Sequence, residues 1–418
     1  MPRAFHRDPF PGKLRILFVG LAESSHTHAW IDLLENAELN VRLFALPSGA
    51  PPDEWRVRTY VSGRPPIRYD THLRNCLYSL GRSEQLVARG IARYVLHKDQ
   101  AFEERWLARI IRSWKPHVIH TLGLAPASYF YARARARYRL QGLGKWVVQA
   151  RGGPDLALHR LVPEHSTSIA QILRDCDCLV ADNQLNLEYA VALGLRPDKV
   201  ASLGIVPGTG GVDVAGLSAM STESPSRRGR TVLFPKAYEC PQSTALPVLE
   251  AIRLAWNNIQ PCHIVMLASI PETRMWVETL PPEIRASCSV HGRIPRNEAL
   301  GLLTQARVCV APSLSDGTPN NLLEAMATGA FPIVSPLETI TPIVRNETNV
   351  LFARNLYPDE IAGALVRAMT DDALVDRAAR NNLELVRRIA DRATIRPRVV
   401  DFYQQLGASR SMITAQRG

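Results

Sequence analysis

Asp316 and Glu324, two carboxylates eight positions apart, bracket the part of this chain best suited to hold an anion. Thr318 followed by Pro319 is the pairing expected of an N-cap and a first helical residue. The backbone N–H groups of Gly317, Thr318, Asn320 and Asn321 then lie at the mouth of a helix, where they attract an anion, most naturally a phosphate. One acid precedes the helix and the other sits about a turn and a half into it. Two acceptors flanking a phosphate site suit a ligand with hydroxyls on both sides of a phosphate, and a nucleotide-sugar is such a ligand. Spacing alone also fits an ordinary strand–turn–helix unit with two solvated acids.

The flanking residues supply the elements that must hold this turn. Val308, Val310 and Ala311 close an apolar run of the kind a buried parallel strand shows. Leu322, Leu323 and Met326 give the helix an apolar face, Gly329 stops it, and residues 331–334 resume a strand. At the start of the chain, a strand at 13–20, a helical period over 27–36 and a strand at 40–46 open a doubly wound parallel sheet. No Gly-x-Gly-x-x-Gly follows the first strand, which argues against a nicotinamide enzyme. Residues 47–80 read as irregular and 83–115 as helical. Further strands are expected at 116–120, 146–151, 178–182 and 200–204. After a polar stretch at 218–230, strands recur at 230–236, 263–267, 288–291, 307–311 and 350–352. Helices are expected at 244–256, 359–369, 372–389 and 395–406.

The segment around Asp316 resembles the acidic-x7-acidic motif of the retaining family-4 glycosyltransferases, the glycosyl transferases group 1. It keeps Gly317, Glu324, Ala325, Met326, Ala327, Gly329 and Pro332, with Asp316 in place of the first glutamate and Thr318-Pro319 in place of Phe-Gly. Weaker resemblances lie at Ser25-His26-Thr27 with Trp30, and at Gly211-Val212-Asp213. The resemblance implies an α/β fold of two Rossmann-like doubly wound domains facing a central cleft (GT-B). An acceptor domain would span 13–215, a linker 216–230 and a donor domain 231–392, with a C-terminal helix at about 393–410 rejoining the first domain.

By the same resemblance, Asp316 takes hydroxyls of the transferred sugar. The turn of Gly317, Thr318, Pro319, Asn320 and Asn321 takes the diphosphate, and Glu324 takes the ribose hydroxyls. Lys236 stands where the family has a phosphate-binding lysine. The family's second cation has no obvious counterpart, and Arg293 is the candidate to replace it or to border the base. His120 ends a strand where relatives have a histidine near the reacting sugar; it orients donor or acceptor, or is a plain loop histidine. His26, Arg151 and Asp155 fall on the acceptor side, where the last two equally well form a turn. A glycine-bearing turn of relatives has become Asn349, a residue able to adopt left-handed geometry. The implied activity moves a hexose or N-acetylhexosamine from UDP or GDP to a hydroxyl of a glycan, lipid-linked glycan or metabolite, with retention. It needs no metal and no cofactor besides the donor. The altered cationic loop keeps open an alternative, a non-catalytic protein that binds nucleotide-sugars.

Composition sets outer limits. A length of 418 residues favours two domains. No apolar run is long enough to span a membrane and the first residues lack a signal core, so a cytoplasmic location is expected. Seven scattered cysteines read as reduced and buried. The formal charge of +11 is uneven, with Arg133, Arg135, Arg137 and Arg139 in one run beside Tyr129, Phe130, Tyr131 and Tyr138. That run reads either as a solvated helix face or as an interfacial helix on anionic lipid, which would make the protein peripheral to the inner face of a membrane. No nucleic-acid-binding module is present in the sequence, and no nucleic-acid partner is expected.

Overall fold

The structure, a computed structural model, describes residues 3–47, 49, 51–52, 54–62, 75–79, 100–152, 154–221 and 223–415. It divides into two units: Met1–Arg151, Asp155–Gly210 and Arg396–Gly418 form one, Gly152–Pro154 and Gly211–Ile395 the other. The first is built on β1 (Arg15–Gly20), β2 (Asn40–Ala45), β3 (Arg58–Val61), β4 (Cys76–Tyr78), β5 (Val118–Leu122), β6 (Lys145–Ala150), β7 (Cys178–Ala181) and β8 (Val200–Ile205). They pair in parallel in the order β4-β3-β2-β1-β5-β6-β7-β8. The second unit holds β9 (Thr231–Phe234), β10 (His263–Met266), β11 (Cys288–Val290), β12 (Val308–Val310), β13 (Phe331–Val334) and β14 (Leu351–Phe352). These are parallel in the order β11-β10-β9-β12-β13-β14.

In both sheets the first strand in sequence lies inside the sheet and the order reverses beside it, the doubly wound pattern that gathers loops at the strand ends. Ile16, Leu17, Phe18 and Val19 are wholly buried, because helices cover both faces of a parallel sheet and leave no polar alternation. One face of the first sheet packs Leu17, Val19, Ile119 and Val148 against Leu107, Ile111, Phe130 and Tyr131. In the second, Val232, Phe234, Ile264 and Met266 meet the helices Leu246–Ile259 and Pro358–Thr370.

Several local expectations change. Strands β3 and β4 lie in the region read as irregular, where short segments among prolines give too little alternation to register. The helical reading of 83–115 holds at Ala101–Trp114; residues 83–99 lie outside the described residues. Residues 216–230 are not a free linker. The helix Val214–Met220 buries Val214 and Leu217 beside Leu322 and Met326, and Arg228, 8% exposed, donates to Ala306 O at 2.9 Å and Thr328 O at 2.6 Å. Arg228 thus neutralises the carbonyl end of the Asn320–Thr328 helix, where a cation is favoured.

The chain passes between units at Gly210 and Gly211, with φ of 77° and 83°. Each is in the left-handed region, and an added Cβ would lie 2.4 Å from Leu33 Cδ1 or 2.3 Å from Ala390 O, so only glycine fits. Asn349 does not take left-handed geometry; Glu347 does, with φ of 60°. Asn349 instead accepts from Arg345 N at 3.0 Å and donates to Asn382 Oδ1 at 2.9 Å, closing the turn with its side chain.

The arginine-rich run has one face in the core and its arginines on the outer face. The helix Tyr129–Arg137 buries Phe130, Tyr131 and Ala134, so Phe130 and Tyr131 supply core. Arg133 Nε and Arg137 Nη1 donate to the wholly buried Glu104 at 3.0 and 2.5 Å, and Arg135 lies over the Trp146 ring. Truncating Glu104 to alanine should destabilise the protein by about 1–3 kcal/mol, since two charge-assisted bonds vanish while the half-exposed arginines turn to water. Chemical denaturation reads this directly; an unchanged midpoint would show the pairs to be incidental. No helix among the described residues is long and apolar enough to cross a membrane.

Candidate active site

The second unit gathers most of the residues singled out from the sequence. β12 and β13 flank the helix Asn320–Thr328, whose first N–H groups have no acceptor inside the helix by construction. Pro319, not Thr318, is the N-cap, with φ −68° and ψ 128°. Its carbonyl accepts from Leu323 N at 3.2 Å, a register one residue later than the pairing rule suggests. Gly329 ends the helix at φ 78°, as expected of a left-handed stop. Thr318 is buried, and Gly317 N donates to Asp316 Oδ1 at 2.9 Å.

Lys236, two residues beyond β9, reaches this turn. Its Nζ donates to Ser313 Oγ at 2.9 Å and to Asp316 Oδ2. Burial is the largest influence and pulls the ammonium down, but Asp316, Tyr238 and Cys309 together outweigh it and leave the pKa above the ordinary lysine value, so Lys236 is charged at neutral pH. Lysine and carboxylate are 16% and 23% exposed, enough for both to meet a ligand. Tyr238, raised by burial, borders the lysine.

Glu324 lies eight residues on, its carboxyl only 16% exposed. Arg296 Nη2 donates to Glu324 Oε1 at 2.7 Å. Burial raises the Glu324 pKa and Arg296 opposes that rise. Arg296 was missed in the sequence. It opens the helix Arg296–Gln305, 28 residues before Glu324, and no local pattern marks it. Arg293, the candidate for a second phosphate cation or for the border of the base, is exposed and close enough for its charge to act on Tyr238. Arg296, Leu300, Asn321, Glu324, Pro235 and Leu267 line a cavity, beside which Asn321 Nδ2 is buried without a hydrogen-bond partner. The set therefore offers a buried cation beside a helix mouth, two carboxylates, and a partly apolar recess with an unmet donor. It can hold a diphosphate and accept hydroxyls on either side.

The remaining candidates lie in the first unit. His26 is exposed in the helix Ser25–Ile31, whereas its neighbour His28 is fixed by Ala22 O at 2.5 Å and stacks on Trp55. Asp155 accepts from the N–H groups of Leu124, Ala125 and Arg151 at 3.1, 3.3 and 3.0 Å. Its oxygens thus staple two strand-end loops together, the turn-forming role of the two considered. Arg151 Nη2 donates to Leu122 O at 2.9 Å, leaving Nη1 buried without a partner.

His120 is wholly buried in β5, with Nδ1 2.5 Å from Tyr403 Oη. It is a core residue and not a loop histidine. Burial, then the charge of Arg151, push its pKa down to about 3. The unfolded chain therefore takes up a proton near pH 6.5 that the folded chain refuses until about pH 3. Stability from this group is complete above the upper value and is lost as pH falls through the window, by up to about 1.4 kcal/mol per unit. Denaturation midpoints of His120→Gln should fall less steeply over that window than those of the wild type; parallel slopes would overturn the assignment.

Two parallel doubly wound α/β sheets, one in each unit, are the arrangement of the two-Rossmann GT-B fold. Residues 229–371, within the second unit, match the family described as glycosyl transferases group 1. The fold extends over nearly the whole chain. Anabaena HepE, solved with UDP and glucose, is 13% identical with a TM-score of 0.62, covering 94% of this chain and 100% of that one. Sucrose-phosphate synthase from Thermosynechococcus elongatus is 15% identical with a TM-score of 0.64 and the same coverage. For α,α-trehalose 6-phosphate synthase from Burkholderia multivorans the values are 14% and 0.64, covering 95% and 100%. At such identities the likeness is one of fold. No curated protein matches the chain.

Proposed function

We propose that this protein is a retaining glycosyltransferase, moving a hexose or N-acetylhexosamine from a nucleoside diphosphate to an acceptor hydroxyl on a glycan, lipid-linked glycan or metabolite. The observation that carries the reading is the Lys236–Asp316 pair at the mouth of the Asn320–Thr328 helix, within the segment that matches the group 1 family. Lys236 and the first-turn amides, with Gly317, receive the diphosphate and stabilise the charge that grows on it as the glycosidic bond breaks. Asp316 gives up its contact with Lys236 to accept sugar hydroxyls. Glu324, oriented by Arg296, accepts the ribose hydroxyls, and the adjoining cavity takes the nucleoside. Because these groups already meet the diphosphate charge, the reaction needs no metal. HepE has been solved with UDP-glucose, which supports a UDP-linked donor here, GDP being the other choice. The acceptor-side groups are His26 and Arg151, with Asp155 holding the turn of Arg151 against the loop after β5.

Melting temperatures measured across a panel of nucleotide-sugars test the donor, because a ligand of the native state raises them. One donor should stand out and be slowly hydrolysed, and a suitable acceptor should yield a product with the donor's anomeric configuration. No shift with any nucleotide would overturn the reading, and an inverted product would overturn the mechanism. Anionic vesicles test the membrane expectation separately; with Arg133 and Arg137 committed to Glu104, weak binding is expected.

A further inference from the structure

Three buried side chains from distant parts of the first unit meet at one hydroxyl. Trp30 Nε1 is 3.0 Å from Tyr403 Oη, which is 2.5 Å from His120 Nδ1; the histidine and tyrosine are 283 residues apart. An indole N–H only donates, so Tyr403 Oη must accept from Trp30. The phenol proton then has one acceptor among the described residues, His120 Nδ1. The reverse arrangement, with Nδ1–H donating to Oη, strands both the phenol proton and a bare Nε2 lone pair in the core. The forward arrangement leaves only the Nε2 proton unmet, and Nε2 has no partner. Burying an unmet polar group is costly, so the arrangement that strands fewer is preferred.

We propose that Tyr403 is a positioning residue that locks His120 as the neutral Nε2–H tautomer, making the imidazole a hydrogen-bond donor and not a base. The same face of the sheet carries other unmet groups. Gln149, in register with Leu122 two residues beyond His120, has both amide atoms buried and unpaired, and so does Thr27 Oγ1 beside Gly20. Together they leave buried donors and acceptors unmet on this face. On the glycosyl-transfer reading, on which this clause alone rests, the oxygen meeting Nε2–H belongs to a sugar hydroxyl; otherwise it belongs to an ordered water.

Nitrogen-15 spectra of histidine-labelled full-length protein test the lock, with the His120 signals assigned by their loss in His120→Gln. Between pH 5 and 8 they should show one neutral form protonated at Nε2. Tyr403→Phe should turn this into a mixture of tautomers or the Nδ1–H form. Should that variant not fold, Trp30→Phe keeps the phenol and frees its oxygen to accept from the ring, with the same expected mixing. A wild-type ring protonated at Nδ1 or charged at pH 6, or spectra unchanged in the folded variants, would overturn the proposal. The spectra are read on the free chain, so failure of the transferase reading appears separately, as absent turnover with the tautomer intact. A sugar that moves the Nε2 resonance identifies the hydroxyl as substrate, and no movement with any sugar assigns it to water.

Discussion

Lys236→Met should lower kcat for donor turnover by about a hundred- to a thousand-fold, the loss typical when one preorganised group facing a developing anion is removed. Methionine preserves most of the side chain's length and apolar stem, so the change deletes a charge with little repacking. Lys236 is suited to the task because its ammonium is already desolvated yet held charged by Asp316 and oriented by Ser313. A group organised before the bond breaks has no solvent to shed at that moment. The loss should fall mainly on kcat, since charge on the departing diphosphate is larger in the transition state than in the bound donor. Steady-state kinetics with the donor identified by thermal shift provide the test. A variant with wild-type kcat would remove Lys236 from the chemistry and with it the central support for the proposed activity.

Glu324→Gln should weaken binding of the free nucleoside diphosphate by about ten- to a hundred-fold, corresponding to about 1.5–3 kcal/mol for hydrogen bonds to a charged group. Arg296, half-exposed, can turn to solvent when its partner is neutral, so the fold should tolerate the change. The discriminating control is a nucleotide lacking ribose hydroxyls, which wild type and variant should bind alike. Burial places the Glu324 pKa above the ordinary carboxylate range, so wild-type affinity should fall on acidification while that of the variant stays flat. Equal affinity of wild type and variant for the intact nucleotide would mean that Glu324 serves the cavity wall and not the ligand.

The strand–turn–helix–strand unit around Asp316 was legible because every signal in it is local. An apolar run, a proline at the helix start, an apolar stripe and a glycine stop each act within a few residues, and the observed helix, its left-handed Gly329 and both strands follow them. Even there, local rules placed the cap one residue early, since Thr318 turns inward instead of capping. The alternation of strands and helices likewise marked the strands of both sheets, missing only β3 and β4, too short to signal themselves, while the two-domain architecture came from the family resemblance.

By itself the sequence determined which segments form most of the strands and helices, and that a helix mouth flanked by two acids lies between β12 and β13. These depend on backbone propensity and hydrophobic period, which neighbouring residues set. Only the tertiary structure decided that Arg296 meets Glu324, that Asp155 fastens loops, and that Arg133 and Arg137 close over Glu104. It alone brought Tyr403 onto His120. Such partners are chosen by where folding places charges and desolvates them, and chain order carries no record of that choice.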